Sequence, residues 1–221
     1  MRVTSTRDLN ASLHDLPQDC VKRWRIINPN GAHSLAVGLT QPVEILIEGV
    51  VGYYCGGMNK AAKIEIDGHC GWGVAENIMS GRVWVRGNAS QSAGASGHGG
   101  LLVIDGDASA RCGISLKGAD IVIGQSVGHM SGFMAQEGRI VVCGDAGGDL
   151  GDSIYETRIY VGGSVESLGA DCIEKELTPD DHTALADLLQ AAGRDDDPGK
   201  FRCFGSARQL YNFDIDNAAA Y

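Results

Sequence analysis

The residues best suited to chemistry in this chain are a run of acids, a close pair of aspartates and a crowd of glycines. The stretch GDAGGDLGDSIYE carries Asp145, Asp149, Asp152 and Glu156, oxygen ligands of the kind a calcium ion takes. It lacks the EF-hand order and its closing bidentate Glu, so a solvated turn is the better reading. Asp105 and Asp107 lie close together, and paired carboxylates do the acid–base work of sugar-cleaving enzymes. That chemistry also needs a basic partner, and no Arg or Lys accompanies the pair. The stretch GHCGWGVAENIMSG, residues 68 to 81, follows the short apolar run KIEI and has the look of a phosphate-binding loop. A G-x-x-x-x-G-K-S/T pattern is absent, however, and no G-x-G-x-x-G opens a helix.

Composition narrows the classes. A net charge of −10 on 221 residues repels phosphate backbones and anionic lipid, which argues against nucleic acid or a membrane surface as partner. There is no run of 18 apolar residues to span a bilayer, and the opening MRVTSTRDLN has no apolar signal region. The seven cysteines, at 20, 55, 70, 112, 143, 172 and 203, are odd in number and never spaced C-x-x-C. Reduced thiols in a cytoplasmic protein are expected, not a disulfide framework or a zinc site.

The 32 glycines belong to a repeat. Stepping 19 residues at a time from Gly49 gives Gly68, Gly87, Gly106, Gln125, Gly144 and Gly163. Two residues before each marker stand Ile47, Ile66, Val85, Ile104, Ile123, Val142 and Val161; four before stand Ile45, Ile64, Val83, Leu102, Ile121, Ile140 and Ile159. Seven after come only Gly or Ala: Gly56, Ala75, Gly94, Gly113, Gly132, Gly151 and Ala170. Aliphatics at alternate positions line one face of a short strand. The marker glycine is expected to end the strand and turn the chain. A unit of 19 residues is too short for a strand and a crossover helix, which need about 30.

The fold expected is therefore all-β: a right-handed parallel β-helix of about seven 19-residue coils, with small helical caps at both ends. Residues 1–42 form an N-terminal cap with a partial first coil, in which Ile26 sits one period before Ile45 and Leu9, Leu13 and Leu16 recur at helical spacing. Residues 43–177 form the column. Residues 178–221 form a C-terminal helix and a docking tail: Thr178 is the N-cap, Pro179 opens the first turn, and Leu185, Leu188 and Leu189 make the apolar face.

Sorted by column, the titratable groups do not gather. His69, His98 and His129 fall one, eleven and four positions after their markers. Cys55 and Cys112 share a column but lie three coils apart, about 14 Å, too far for a disulfide. Lys63, Arg82, Arg139 and Arg158 share another column, in which the last two form a short basic strip. No nucleophile, triad or metal-ligand spacing emerges, so no catalytic, cofactor or metal residue is assigned. Trp84, Val103, Val122, Val141 and Tyr160 lie between the inward aliphatics and face outward. Such an apolar stripe marks an interface with a partner, or is covered by the chain's own C-terminal tail.

The segment GYYCGGMNKAAKIEIDGHCGWGVAENIMSGRVWVRGNAS, the later coils, LGADCIEKEL and FGSARQLYNF together resemble the C-terminal glycine-repeat domain of the glutamate synthase large subunit. The likeness runs over about residues 25–177. It implies a scaffold without catalytic residues that holds neither flavin nor iron–sulfur cluster. As a separate chain, it looks most like the glycine-repeat subunit of N-methylglutamate synthase, which joins methylamine and glutamate and releases ammonia. The partners this implies are a class-II glutamine-amidotransferase-like subunit and an FMN-binding glutamate-synthase-like subunit, in a hetero-oligomer. FMN, and any iron–sulfur cluster, would sit on a partner. Similar domains serve as the glycine-repeat subunit of formylmethanofuran dehydrogenase and of its methylotroph relatives, the formyltransferase/hydrolase complexes, which is the alternative reading. A free-standing β-helix acting on carbohydrate through Asp105 and Asp107 is the alternative from another class.

Overall fold

The computed structural model of the chain describes residues 5–17 and 23–208. Strands β1 (Arg23–Ile27), β2 (Glu44–Glu48), β3 (Lys63–Asp67), β4 (Arg82–Val85), β5 (Leu101–Ile104), β6 (Lys117–Ile123), β7 (Glu137–Val142) and β8 (Arg158–Val161) stack in chain order as one parallel wall. The chain is a β-solenoid of about seven turns. Along one column Ile45 pairs with Ile64, then Val83, Leu102, Ile121, Ile140 and Ile159, each step 19 residues. All are buried, because a one-residue slip would turn each of them to the outer face.

A second wall closes each coil. It consists of single-residue parallel bridges linking Val51, Cys70, Ala89, Ala108, Val127, Ala146 and Val165. Its members are small and mixed, a signal too faint to stand out in the sequence. Between the walls the chain turns through a tight corner. There Gly113 has φ +67°, and a Cβ on it would come within 2.6 Å of Ile140 Cδ1. That accounts for the Gly-or-Ala column: the corner backbone packs directly on the inward aliphatics.

The marker glycines serve a different purpose from the turning role expected of them. Among Gly49, Gly68, Gly87, Gly106, Gly144 and Gly163, only Gly49 has a positive φ. The others are needed for close stacking. A Cβ on Gly163 would stand 2.6 Å from the carbonyl oxygen of Gly144, and one on Gly87 2.8 Å from that of Gly68. Successive coils touch backbone to backbone at these glycines, while the fifth position of the column is Gln125, an exposed residue.

The first coil also departs from expectation. Ile26 pairs with Ile47 and Trp24 with Ile45, an offset of 21 residues instead of 19. The extra length is absorbed in loops that include Asn28, Asn30 and Gly31, all at positive φ. Helix α1 (Thr6–His14) docks on this coil. Ser5 caps it, Leu13 is buried, and the Asn10 amide clasps the corner by donating to Ser34 O at 2.7 Å and accepting from Ala36 N at 2.9 Å.

At the other end the parallel stack stops at β8. Strand β10 (Arg202–Ser206) lies antiparallel on β8, and β9 (Cys172–Lys175) lies antiparallel on β10. The chain thus threads its last described strand between two earlier ones. Helix α2 (Pro179–Ala191) begins with the capping box of Thr178 and Asp181, and a 3₁₀ turn at Pro198–Lys200 leads into β10. Residues 209–221, including most of the expected docking tail, lie outside the described residues.

Candidate functional site

The outer face of the parallel wall carries the stripe singled out as a candidate interface, and the structure divides it. Val103, Val122, Val141 and Tyr160 are not available to a partner. They are buried beneath Leu185, Leu188 and Leu189 of α2 and the C-cap residue Ala192, with Phe201 and Cys203, in a second core outside the solenoid. This corrects the intersubunit assignment for those four residues: the chain's own C-terminal segment is the cover. Trp84, the fifth, is half-buried at the edge of the lid, with its ring 3.4 Å from the Cβ position of Gly193.

A buried polar contact helps fasten the lid. The Tyr160 hydroxyl, buried in the second core, donates to Asp181 Oδ1 at 2.7 Å, while Thr178 N and Oγ1 donate to Oδ2 at 3.0 and 2.7 Å. Burial acts to raise the Asp181 pKa, but the hydrogen bonds from Thr178 and Tyr160 outweigh it and hold the carboxyl below its ordinary value. The Tyr160 phenol is pushed up, first by burial and then by its carboxylate partner.

The other half of the wall, β1 to β4, is open and charged. Arg23 reaches Glu44 at 2.5 Å, Lys63 lies 3.7 Å from the same carboxylate, and Arg86 bridges Glu65 at 2.7 Å and Asp105 at 3.2 Å. Trp84 is flanked by two guanidinium groups, Arg82 at 4.8 Å and Arg86 at 4.0 Å from its ring centre, and donates to Asp105 Oδ1 at 2.8 Å. A shallow groove of about 380 Å³ runs across Glu44, Leu46, Lys63, Glu65, Arg82 and Trp84. The basic strip expected of Arg139 and Arg158 does not form as a unit, because Asp120 takes Arg139 in a two-pronged pair at 2.7 Å.

Most polar residues on the coils hold one coil to the next. The position after the marker forms a ladder of acceptors. His69 Nδ1 accepts from Asn88 N at 2.9 Å, and Asn88 Oδ1 from Asp107 N at 3.0 Å. Asp107 Oδ1 accepts from Ser126 N, and Ser126 Oγ from Asp145 N, both at 3.0 Å. Asp145 Oδ1 accepts from Ser164 N at 2.6 Å, a bond that holds its carboxyl below the ordinary value. Four residue types do one job, so a search by type does not find the column; a search for short side-chain acceptors at a fixed position would.

The acidic run is divided in the same way. Asp145 belongs to the ladder, Asp149 lies 3.5 Å from His129, and Asp152 accepts from Ser153 Oγ at 2.7 Å and Ala170 N at 3.2 Å. Among the described residues no three His, Cys, Asp or Glu side chains gather where a metal ion would fit. Asp105 and Asp107 serve Trp84 and the ladder respectively, so they do not act as a pair. Burial pushes the Cys55 and Cys112 thiols up to about 12 and those of Cys143, Cys172 and Cys203 up to about 11. Thiols so raised are protonated at neutral pH and are poor nucleophiles. Cys20 lies outside the described residues.

One surface is not apparent from the titratable groups. Tyr53 and Trp72 occupy the same corner position on successive coils, with ring centres 5.8 Å apart, and His33 stacks on Tyr53 at 4.4 Å. Tyr53, Tyr54, Trp72 and Met58 are each nearly half exposed. The signal that could have found it is the shared column of Tyr53 and Trp72, which appears only when aromatic residues are sorted by position in the coil.

No family model matches the chain, and no solved structure matches it. It is 56% identical over 223 residues to Protein GlxC of Rhizobium meliloti (strain 1021), a match that covers all of this chain and 98% of that protein. The chain belongs to the GlxC family. GlxC of R. meliloti matches through the whole solenoid, the lid and both ends, so its resemblance is to the complete arrangement and not to the repeat alone. Among the described residues no helix is long and apolar enough to cross a membrane.

Proposed function

We propose that the chain is a scaffold subunit of a glutamate-synthase-like enzyme, without catalytic residues of its own, and that the enzyme is an N-methylglutamate synthase. In this reading the solenoid packs against a class-II amidotransferase-like subunit and an FMN-binding subunit, and FMN and any iron–sulfur cluster reside on those partners. The observation that carries it is the use of the polar side chains. The acceptor ladder, the Arg–carboxylate pairs and the Asp181 clasp engage the groups that would otherwise be candidates for chemistry, and they hold the fold together. The resemblance of the coils to the glutamate synthase glycine-repeat domain supplies the complex. The open half of the wall and the Tyr53–Trp72 corner are the surfaces left for partners.

Native purification of the tagged chain from its host tests the reading. A yellow complex with amidotransferase-like and FMN-domain proteins, turning over methylamine and glutamate, is the expected result. A lone colourless monomer, or turnover by the isolated chain, would overturn it. A colourless complex with metal-dependent amidohydrolase-like partners would replace it with the formylmethanofuran dehydrogenase type.

A further inference from the structure

The strand that returns between β8 and β9 creates a recess that the solenoid alone would lack. It has a volume of about 90 Å³, and its lining includes Glu156, Thr157, Arg158, Lys175, Ser206 and Arg208. Three cations meet one carboxylate here, in a chain of net charge −10. Gly205 lets two of them converge, since its Cβ position would lie 3.5 Å from Lys175 Cε and 3.6 Å from Arg158 Nη1.

These cations are unequally occupied. Arg208 is paired with Asp171. The nearest carboxylate oxygen to Arg158 is Asp181 Oδ1, 3.9 Å from its Nε and already accepting from Tyr160. Lys175 makes no salt bridge among the described residues. Two hydroxyls join them. Ser206 Oγ accepts from Arg208 N at 3.1 Å, which leaves its own proton to donate. Thr157 is 1% exposed and its hydroxyl has no hydrogen-bond partner among the described residues, a state buried polar groups rarely tolerate. A recess of about 90 Å³ is larger than the ~10–15 Å³ that one ordered water needs. That leaves room for a tetrahedral oxyanion.

We propose that this recess binds a phosphate group. Lys175 supplies a point charge, Arg158 a planar fork of donors, and Thr157 and Ser206 their hydroxyl protons. Arg208 remains with Asp171. Glu156 at the rim accepts the P–OH of the monohydrogen form. The phosphate is either a free ion or the terminal group of a larger ligand whose remainder stays outside.

Thermal unfolding of the full chain, titrated with inorganic phosphate and separately with a phosphomonoester against chloride of equal ionic strength, tests this. Phosphate is expected to raise the midpoint where chloride does not. Tighter binding of the free ion marks phosphate itself as the ligand; binding of the monoester at least as tightly marks a terminal phosphate. Lys175→Ala and Thr157→Val should each weaken binding at least tenfold. Thr157→Val should unfold no earlier than wild type without phosphate, because a methyl replaces an unpaired hydroxyl. Equal stabilisation by phosphate and chloride, or wild-type binding by Lys175→Ala, would overturn the proposal.

Discussion

The two halves of the outer wall share one backbone and one register, yet one is core and the other surface. From Val103 to Tyr160 the outward residue is apolar and lies under α2. At Leu46 and Glu65 it sits among Arg–Glu rows with no described helix above it, and Trp84 stands at the border between the two. A strand position in a solenoid therefore has no fixed fate. What decides it is whether the column offers enough contiguous apolar surface to hold a helix in place. Three valines and a tyrosine in succession do so; a column broken by Glu65 does not.

Substitutions along that column test the difference. The largest effect is expected from Val141→Asp, which puts a charge into the second core and should cost more than about 3 kcal/mol or prevent folding, as measured by chemical denaturation. Wild-type stability in this variant would mean that α2 does not cover the stripe in solution. Next comes Leu188→Ala, expected to cost about 2–5 kcal/mol by emptying the same core from the helix side. Asp181→Ala should cost about 1–2 kcal/mol at neutral pH, the value of a cap. Because the folded Asp181 pKa is depressed below 3.8, its contribution is complete above that value and is lost as pH falls through the folded one. The gap between wild type and Asp181→Ala should therefore close in acid, and a gap unchanged at low pH would remove the clasp from the account. The smallest effect belongs to the open half. Arg23→Ala and Glu44→Ala should leave the unfolding midpoint within experimental scatter, since exposed pairs contribute little. If the open half is a partner surface, the same two changes should still reduce recovery of the complex.

The column was legible because its aliphatics repeat without error, and pairing follows the repeat residue for residue from Ile45 to Ile159. Thr178 and the leucines of α2 were legible for similar reasons: cap chemistry and helical spacing are local. What escaped was not periodic or not local. The first coil is longer, so counting 19 back from Ile45 landed on Ile26 where the structure places Trp24. The second wall escaped because Cys70, Ala89 and Ala108 are too small to read as a strand. The outward stripe was visible, but its occupant depended on where α2 travels, which no spacing records. The acceptor ladder and the phosphate recess were hidden because geometry, not residue type, defines them.

The position of β10 sets the order in which the molecule can be completed. Each solenoid coil rests on the coil made just before it, so the column can assemble while the chain is still being synthesised. Strand β9 cannot take its place in this way, for its only described neighbour in the sheet is β10, about 30 residues further along. Until β10 emerges, the edge of β8 is bare, although α2, made earlier, can already lie over Val103 to Tyr160. The nascent protein is thus a finished rod with an unfinished end, and the last described strand is the one that seals it.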